Sequence, residues 1–533
     1  MLNYLYAISY LTLLSSAVAW FFFKERGSSI KSFFTGGFWV GLAMYVLSFL
    51  LGDGGWWYKL ILLFPRDLMI FSLAVLVFNK FVTRSNIFVG LALAAGVLVK
   101  VFYFGVLVNS LDERGFGKYS EMFSWTSAEC CMTKGKASSK PLTYVDSNAE
   151  ILVEIAEGSS VENLEQLLEN FEATIEPAFP HLQHKEFSNL ENFYKINIKG
   201  TLESDLEEVT KELKKAKNVL SFEVNETVQT TPLYPETVML KTPNETTNDK
   251  YIGFLWGFNN MNVKELHTLL KGMKPQKVAK IYILDTGVDG THEDLQDVFF
   301  STNPSYNSDK VGHGTHCAGI AAAVSNNGKG IASFAPNTTF VQVTSIKVLN
   351  DNGGGTQEGI IDGIIEAADA GADVISMSLG GISYDEGQAY TEAVEYANKA
   401  GAIVVVAAGN SDEDAQGYCP ANAKGVITVS AVDENNDKAE FSNYVDNIAM
   451  GIAAPGVNIY STVPNNLYQY MNGTSMATPY VAGLVGVMKA LNPALTTPEI
   501  YAILKGSGVD TKNTAKTGKL IQPAEAVKRI VNQ

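Results

Sequence analysis

Cysteine is scarce in this chain. Four cysteines in 533 residues are too few to hold a protein of this length in a disulfide framework. Cys130 and Cys131 are adjacent and would pair with each other only under strain. Cys317 lies in an Ala-rich helical pattern, where a thiol serves as a small apolar group. Cysteine usage therefore implies no redox compartment. An excess of basic charge is missing too. With 40 Lys and Arg against 56 Asp and Glu, the formal net charge is −16. A nucleic-acid groove needs cationic surface to displace phosphate counterions, so no nucleic-acid partner is expected. The acidity itself serves solubility. Neither an internal repeat nor a low-complexity tract is present.

The length implies several domains, and the first 110 residues differ from the rest. They hold eight Lys or Arg and three Asp or Glu. Four apolar runs, at 3–23, 33–52, 60–79 and 87–109, each approach the ~20 residues that a membrane-crossing helix needs. Lys24, Glu25, Arg26, Asp53, Lys80 and Arg84 punctuate them, and Trp56, Trp57 and Tyr58 cluster at one end, as interfacial aromatics do. Ala17-Val18-Ala19 resembles a signal cleavage site, but no Lys or Arg precedes the first run. Arg66 and Asp67 read as a pair held between helices. The five positive charges of the first and third loops place those loops in the cytoplasm. The expected location is therefore a multi-pass membrane region with everything after residue 110 outside the cytoplasm.

Residues 111–147 form a polar linker. Over 148–230 the pattern becomes regular: strands at 151–157, 174–179, 192–199 and 219–228, and helices at 161–170 and 202–216. This β-α-β-β-α-β order predicts a small ferredoxin-like α+β domain. Residues 231–275 read as a linker and extension, with Pro232, Pro235 and Pro243 marking an extended, accessible stretch. From 276 to 533, short apolar strands at 278–284, 341–348, 373–378, 402–407 and 426–430 alternate with helical segments. Strands that are apolar throughout predict an α/β fold, a parallel sheet with helices on both faces.

Chemistry concentrates where those strands end. In open α/β sheets the ligand crevice lies beyond the carboxyl ends of the strands. Asp285 follows Ile281-Tyr282-Ile283-Leu284; His313 opens a helix in Gly312-His313-Gly314-Thr315-His316; Ser475 starts another in Gly473-Thr474-Ser475-Met476-Ala477. A serine hydroxyl becomes a nucleophile when an imidazole takes its proton, and a carboxylate fixes that imidazole's tautomer. Asn410 ends Val404-Val405-Val406-Ala407-Ala408-Gly409 and offers an amide donor for an oxyanion.

These blocks, in the order Asp, His, Ser, resemble the subtilisin family of serine peptidases. The resemblance spans roughly 250–533. It implies a serine endopeptidase acting on protein or peptide substrates, with Asp285, His313 and Ser475 as the triad and Asn410 as the oxyanion donor. It places Ser378, Leu379 and Gly380 in the substrate-binding strand, and Ala408, Gly409 and Gly417 around the primary pocket. Small residues there lead to an expected preference for large apolar or aromatic side chains before the scissile bond. It makes 148–230 a propeptide that inhibits the site and is cut off by the enzyme itself within 229–250. Finally, the stretch from Ser325 to Ile331 is similar to the family's calcium loop, which implies a structural calcium held by Asp294, Asn326 and Ile331.

Overall fold

The computed structural model describes residues 149–171, 173–198, 203–230, 233–234, 246–383 and 387–531. All of them belong to one compact unit, Lys140–Gln533. The four apolar runs of the first 110 residues and the linker lie outside the described residues. The expected multi-pass membrane location is corrected here: among the described residues no helix is long and apolar enough to cross a membrane. The orientation inferred from the loops goes with it.

The small domain runs β1 (Ala149–Ile155), α1 (Glu162–Leu167), β2 (Ala173–Pro177), β3 (Phe193–Ile198), α2 (Glu203–Leu213) and β4 (Val219–Val224). Its four strands are antiparallel in the order β2-β3-β1-β4. Alternation along β1 gives the sheet two apolar faces. Ile151, Val153 and Ile155 pack with Leu164, Val209 and Leu213 of the two helices. Leu152, together with Phe179, Leu190 and Phe193, joins a core shared with the larger body. The last strand expected at 219–228 breaks in two. Its end, β5 (Thr227–Gln229), leaves the small sheet and pairs elsewhere.

Within the stretch read as linker and N-terminal extension of the catalytic domain lie α3 (Trp256–Asn260) and α4 (Val263–Leu270), and Trp256, Phe258, Met261, Leu266 and Leu270 are core residues. The body then follows β6 (Ala279–Asp285), α5 (His313–Ala322), β7 (Val341–Lys347), β8 (Gly354–Thr356), α6 (Gln357–Asp369), β9 (Val374–Met377), β10 (Gly381–Ile382), α7 (Gln388–Lys399) and β11 (Ile403–Ala407). It continues through β12 (Tyr418–Cys419), β13 (Ile427–Val432), β14 (Gly451–Pro455), β15 (Ile459–Val463), β16 (Leu467–Met471), α8 (Thr474–Leu491), α9 (Thr497–Ser507), α10 (Thr514–Thr517) and α11 (Pro523–Val531).

Six parallel strands form the central sheet, in the order β14-β13-β11-β9-β6-β7. Alternate residues of β6 enter opposite cores: Ile281 and Ile283 lie with α5 and α8, and Tyr282 and Leu284 with α6 and α7. Burial on both faces is what an apolar-throughout strand requires. α5 and α8 approach closely because their contact residues are small. A Cβ on Gly483 would lie 2.6 Å from the Ala321 carbonyl oxygen. That close packing draws the two helix starts together.

Candidate active site

β6 delivers Asp285 as its last residue, fully buried. His313 is the first residue of α5, after Gly312, whose φ of 87° suits a residue without a side chain. The imidazole Nδ1 lies 2.9 Å from each carboxylate oxygen of Asp285. One of those oxygens also accepts the Thr286 N–H at 2.7 Å. The first turn of α5 can come this near only because residue 314 is glycine: a Cβ there would meet the Gly287 carbonyl at 2.1 Å. Burial pushes the His313 pKa down, but the Asp285 carboxylate, through its charge and hydrogen bond, and the charge of Asp309 outweigh it; the net direction is up.

Ser475 is the second residue of α8 and 8% exposed. Its Oγ donates to the Ser378 carbonyl at 3.2 Å, and the Ser378 hydroxyl donates back to the Ser475 carbonyl at 2.8 Å. Cys317, one turn along α5 from His313, connects the pieces. Its Sγ lies within 4.8 Å of ligand atoms of Asp285 and His313, and 3.5 Å from the Ser475 carbonyl oxygen. Burial raises the Cys317 pKa, so the thiol stays neutral. His316 is fully buried and donates from Nε2 to the Ile459 and Gln469 carbonyls at 3.1 and 3.0 Å. Burial holds its pKa at about 3, which keeps it a neutral packing residue.

Asn410 lies just beyond β11. Its Oδ1 accepts both the backbone N–H and the hydroxyl of Thr474, each at 2.9 Å. With the oxygen so engaged, the amide nitrogen turns toward Gly473, two residues before Ser475; a Cβ on that glycine would lie 3.6 Å from it. Ser378, Leu379 and Gly380 follow β9. A side chain at 380 would press on the Cys419 carbonyl oxygen, 3.0 Å from its Cβ. Ala408 is buried, and Gly409, at φ 104°, lies against the Asn443 amide, which a Cβ there would meet at 2.4 Å. A Cβ on Gly417 would meet no atom within 4 Å, so that position faces open space. Tyr418, the next residue, donates its hydroxyl to Glu413 at 2.7 Å.

A segment of the chain already lies along this cleft. β5 pairs antiparallel with β8, matching Val228 to Gly355 and Gln229 to Gly354. The Thr230 N–H donates to the Gly353 carbonyl at 2.8 Å. Beyond it, the Asn472 N–H donates to the Leu233 carbonyl at 2.7 Å, three residues before Ser475. The small domain is held by further bonds. Glu223 accepts from Gln357 at 2.7 Å and from the Ala389 N–H at 3.0 Å, Lys195 pairs with Glu358 at 2.8 Å, and Glu392 accepts the Asn189 N–H at 2.8 Å.

The expected calcium loop is less regular. Asp294 is fully buried, accepting the Ile331 N–H and the Asn327 amide, both at 2.7 Å. Asn326 turns its amide away to the Pro336 carbonyl. Asn327 meets Asp294 through its Nδ2, and its Oδ1 accepts the Lys329 N–H at 2.7 Å. Asp249, buried and missed in the sequence because its surroundings read as linker, accepts the Asn326 and Asn327 N–H groups at 2.9 and 3.0 Å. Burial, with the charges of Asp249 and Glu293, lifts the Asp294 carboxyl to about 6. Two buried carboxylates with no ion pair among the described residues are oxygen donors of the kind calcium takes, so Asp249 and Asp294 fit that ion by donor chemistry.

Comparison with known proteins agrees with this arrangement. The model of the subtilase family matches residues 276–520. The chain is 46% identical over 215 residues to thermitase of Thermoactinomyces vulgaris, which covers 39% of this chain and 74% of that protein. It is 41% identical over 255 residues to subtilisin DY of Bacillus licheniformis, covering 46% of this chain and 90% of the relative. It is 42% identical over 252 residues to a thermophilic serine proteinase of Bacillus sp. (strain AK1), covering 46% and 59%. The chain belongs to the subtilase family. It is a subtilisin-like serine endopeptidase, and its substrates are proteins or peptides. These subtilase relatives align with 39% to 46% of the chain.

Proposed function

We propose that this subtilase hydrolyses peptide bonds through an acyl-enzyme on Ser475, and that its small domain is a propeptide that the enzyme cuts from itself. The observation that carries the first part is the buried His313–Asp285 pair beside the start of α8. Rotation about the Ser475 Cα–Cβ bond swings Oγ from the Ser378 carbonyl toward the imidazole. His313 takes the hydroxyl proton as Oγ attacks the carbonyl carbon, and Asp285 holds the tautomer and stabilises the imidazolium. The Asn410 amide donates to the oxygen that becomes negative. His313 then passes its proton to the departing amine. Water, activated by the same imidazole, releases the acyl group.

The second part rests on the strand 227–230 along β8 and on the Leu233–Asn472 bond. Chain held on both sides of the nucleophile is placed both to block the cleft and to be its first substrate. Calcium, where bound, would be held by the carboxylates of Asp249 and Asp294, and would supply charge neutralisation that stabilises the loop before Ile331. Fluorophosphonate labelling tests the reading: wild type takes the label and Ser475→Ala does not. Labelling at equal strength in both would sink it.

A further inference from the structure

Asp309 is a buried carboxylate that the steps above leave without a role. It is 7% exposed and takes no ion pair among the described residues. Lys310, next to it in sequence, reaches Asp351 instead. Asp309 is surrounded by donors. One oxygen accepts the Thr286 hydroxyl at 2.9 Å, the Val311 N–H at 3.0 Å and the Gly312 N–H at 2.8 Å. The other accepts the Thr315 N–H at 2.9 Å and its hydroxyl at 2.8 Å. Thr286 in turn accepts the Gly314 N–H at 3.0 Å.

These bonds join the same two elements that the Asp285–His313 contact joins. Thr286 follows Asp285 at the end of β6, while Val311, Gly312, Gly314 and Thr315 flank His313. A carboxylate accepting several N–H and O–H groups gains strong charge-assisted hydrogen bonds, and at the first turn of a helix it also meets the positive end of the dipole. We propose that Asp309 is a positioning residue for the reaction. It clamps the end of β6 to the start of α5, which fixes the imidazole against Asp285, and it adds a second negative charge that favours the imidazolium. This rests on the triad reading above. Geometry of this kind matters because small displacements of a base cost rate more than binding.

The groups facing His313 are Asp285 and Asp309, with His316 and Cys317 on its own helix. Lys347 reaches the Thr286 carbonyl. His316 and Cys317 stay neutral, so the two carboxylates set the direction of the His313 shift. Removing the Asp309 charge should therefore lower the His313 pKa and move the acid limb of kcat/KM to lower pH.

The test uses the full-length chain with a chromogenic peptide, and rates are divided by the fraction of sites that a fluorophosphonate titrates. Asp309→Asn keeps the shape but replaces one acceptor by a donor. The expected result is a fall in kcat of about 10–100-fold with KM within about twofold, and an acid limb displaced to lower pH. Wild-type kcat with an unmoved limb would overturn the proposal, as would a loss that vanishes on normalising to titrated sites. If Asp309→Asn does not fold, Thr286→Val and Thr286→Ser decide. Valine should lower kcat about tenfold, and serine, which keeps the hydroxyl, should retain more; equal values overturn the clamp. Wild type that hydrolyses nothing, or Ser475→Ala that stays active, would count against the triad reading itself.

Discussion

The Nδ1 atom of His313 faces both oxygens of Asp285 at 2.9 Å, in a site where the carboxylate is fully buried and the imidazole 1% exposed. Neither group can exchange its partner for water. The proton on Nδ1 is therefore fixed, and Nε2 is left as the basic nitrogen. Ser475→Ala or His313→Ala should lower kcat by ~10⁴-fold or more in steady-state assays. Asn410→Ala should cost ~10²–10³-fold with little change in KM, since the amide serves charge that develops only in the transition state. Near-normal turnover by any of the three would remove that residue from the mechanism.

The pH dependence has a definite sign. His313 acts as a base only when neutral, and the carboxylates beside it raise its pKa despite burial. Activity should therefore climb through a pKa above the ordinary histidine value of about 6.5. Protonated His313 blocks the reaction below that point. A kcat/KM profile with its acid limb below pH 6 would contradict the arrangement.

Calcium should matter more as pH rises. Asp294 keeps its proton up to about 6 in the folded chain, against about 3.9 for a free aspartate. The folded state binds the extra proton between those values, so calcium-free stability falls across that window and stays low above it. Bound calcium offsets the charge. Chelation should lower Tm by more at pH 8 than at pH 5, and Asp294→Asn should shrink the difference. An equal effect of chelator at both pH values would argue against a cation there.

Much of this was legible in the sequence, and the parts that were not share a cause. β6 and β11 are written locally, as apolar runs that lead to Asp285 and Asn410, and the starts of α5 and α8 are written as the short blocks around His313 and Ser475. Contacts between distant segments are not so written. α3 and α4 were hidden because Trp256, Phe258 and Leu266 acquire their core only when α11 and the main helices fold onto them. Asp249 was hidden likewise, because its bonds to the Asn326 and Asn327 N–H groups reach across more than seventy residues. β5 looked like the end of β4, but its partner β8 lies more than a hundred residues away.

That last pairing makes the junction testable at the level of single bonds. Gln229 and Thr230 are tied to the 353–354 stretch, and Leu233 is tied to Asn472. Only three peptide bonds separate Thr230 from Leu233, so a self-cut through this register must fall among them. The mature catalytic chain should begin at Thr231, Pro232 or Leu233 when its N-terminus is sequenced. Ser475→Ala should remain a single chain under the same conditions. Because the small domain also buries Leu152, Phe179 and Phe193 in the shared core, it should stay bound after the cut, and the cleaved complex should co-elute on gel filtration in native buffer. Destabilising that contact, for example with Phe193→Ala, should speed the appearance of activity against added peptide, since loss of a buried aromatic costs about 3–5 kcal/mol. An N-terminus well downstream, near 245–250, would mean that the strand along β8 is not the register that is cut. Wild type that stays uncut while hydrolysing added peptide would show that the strap yields the cleft without being severed.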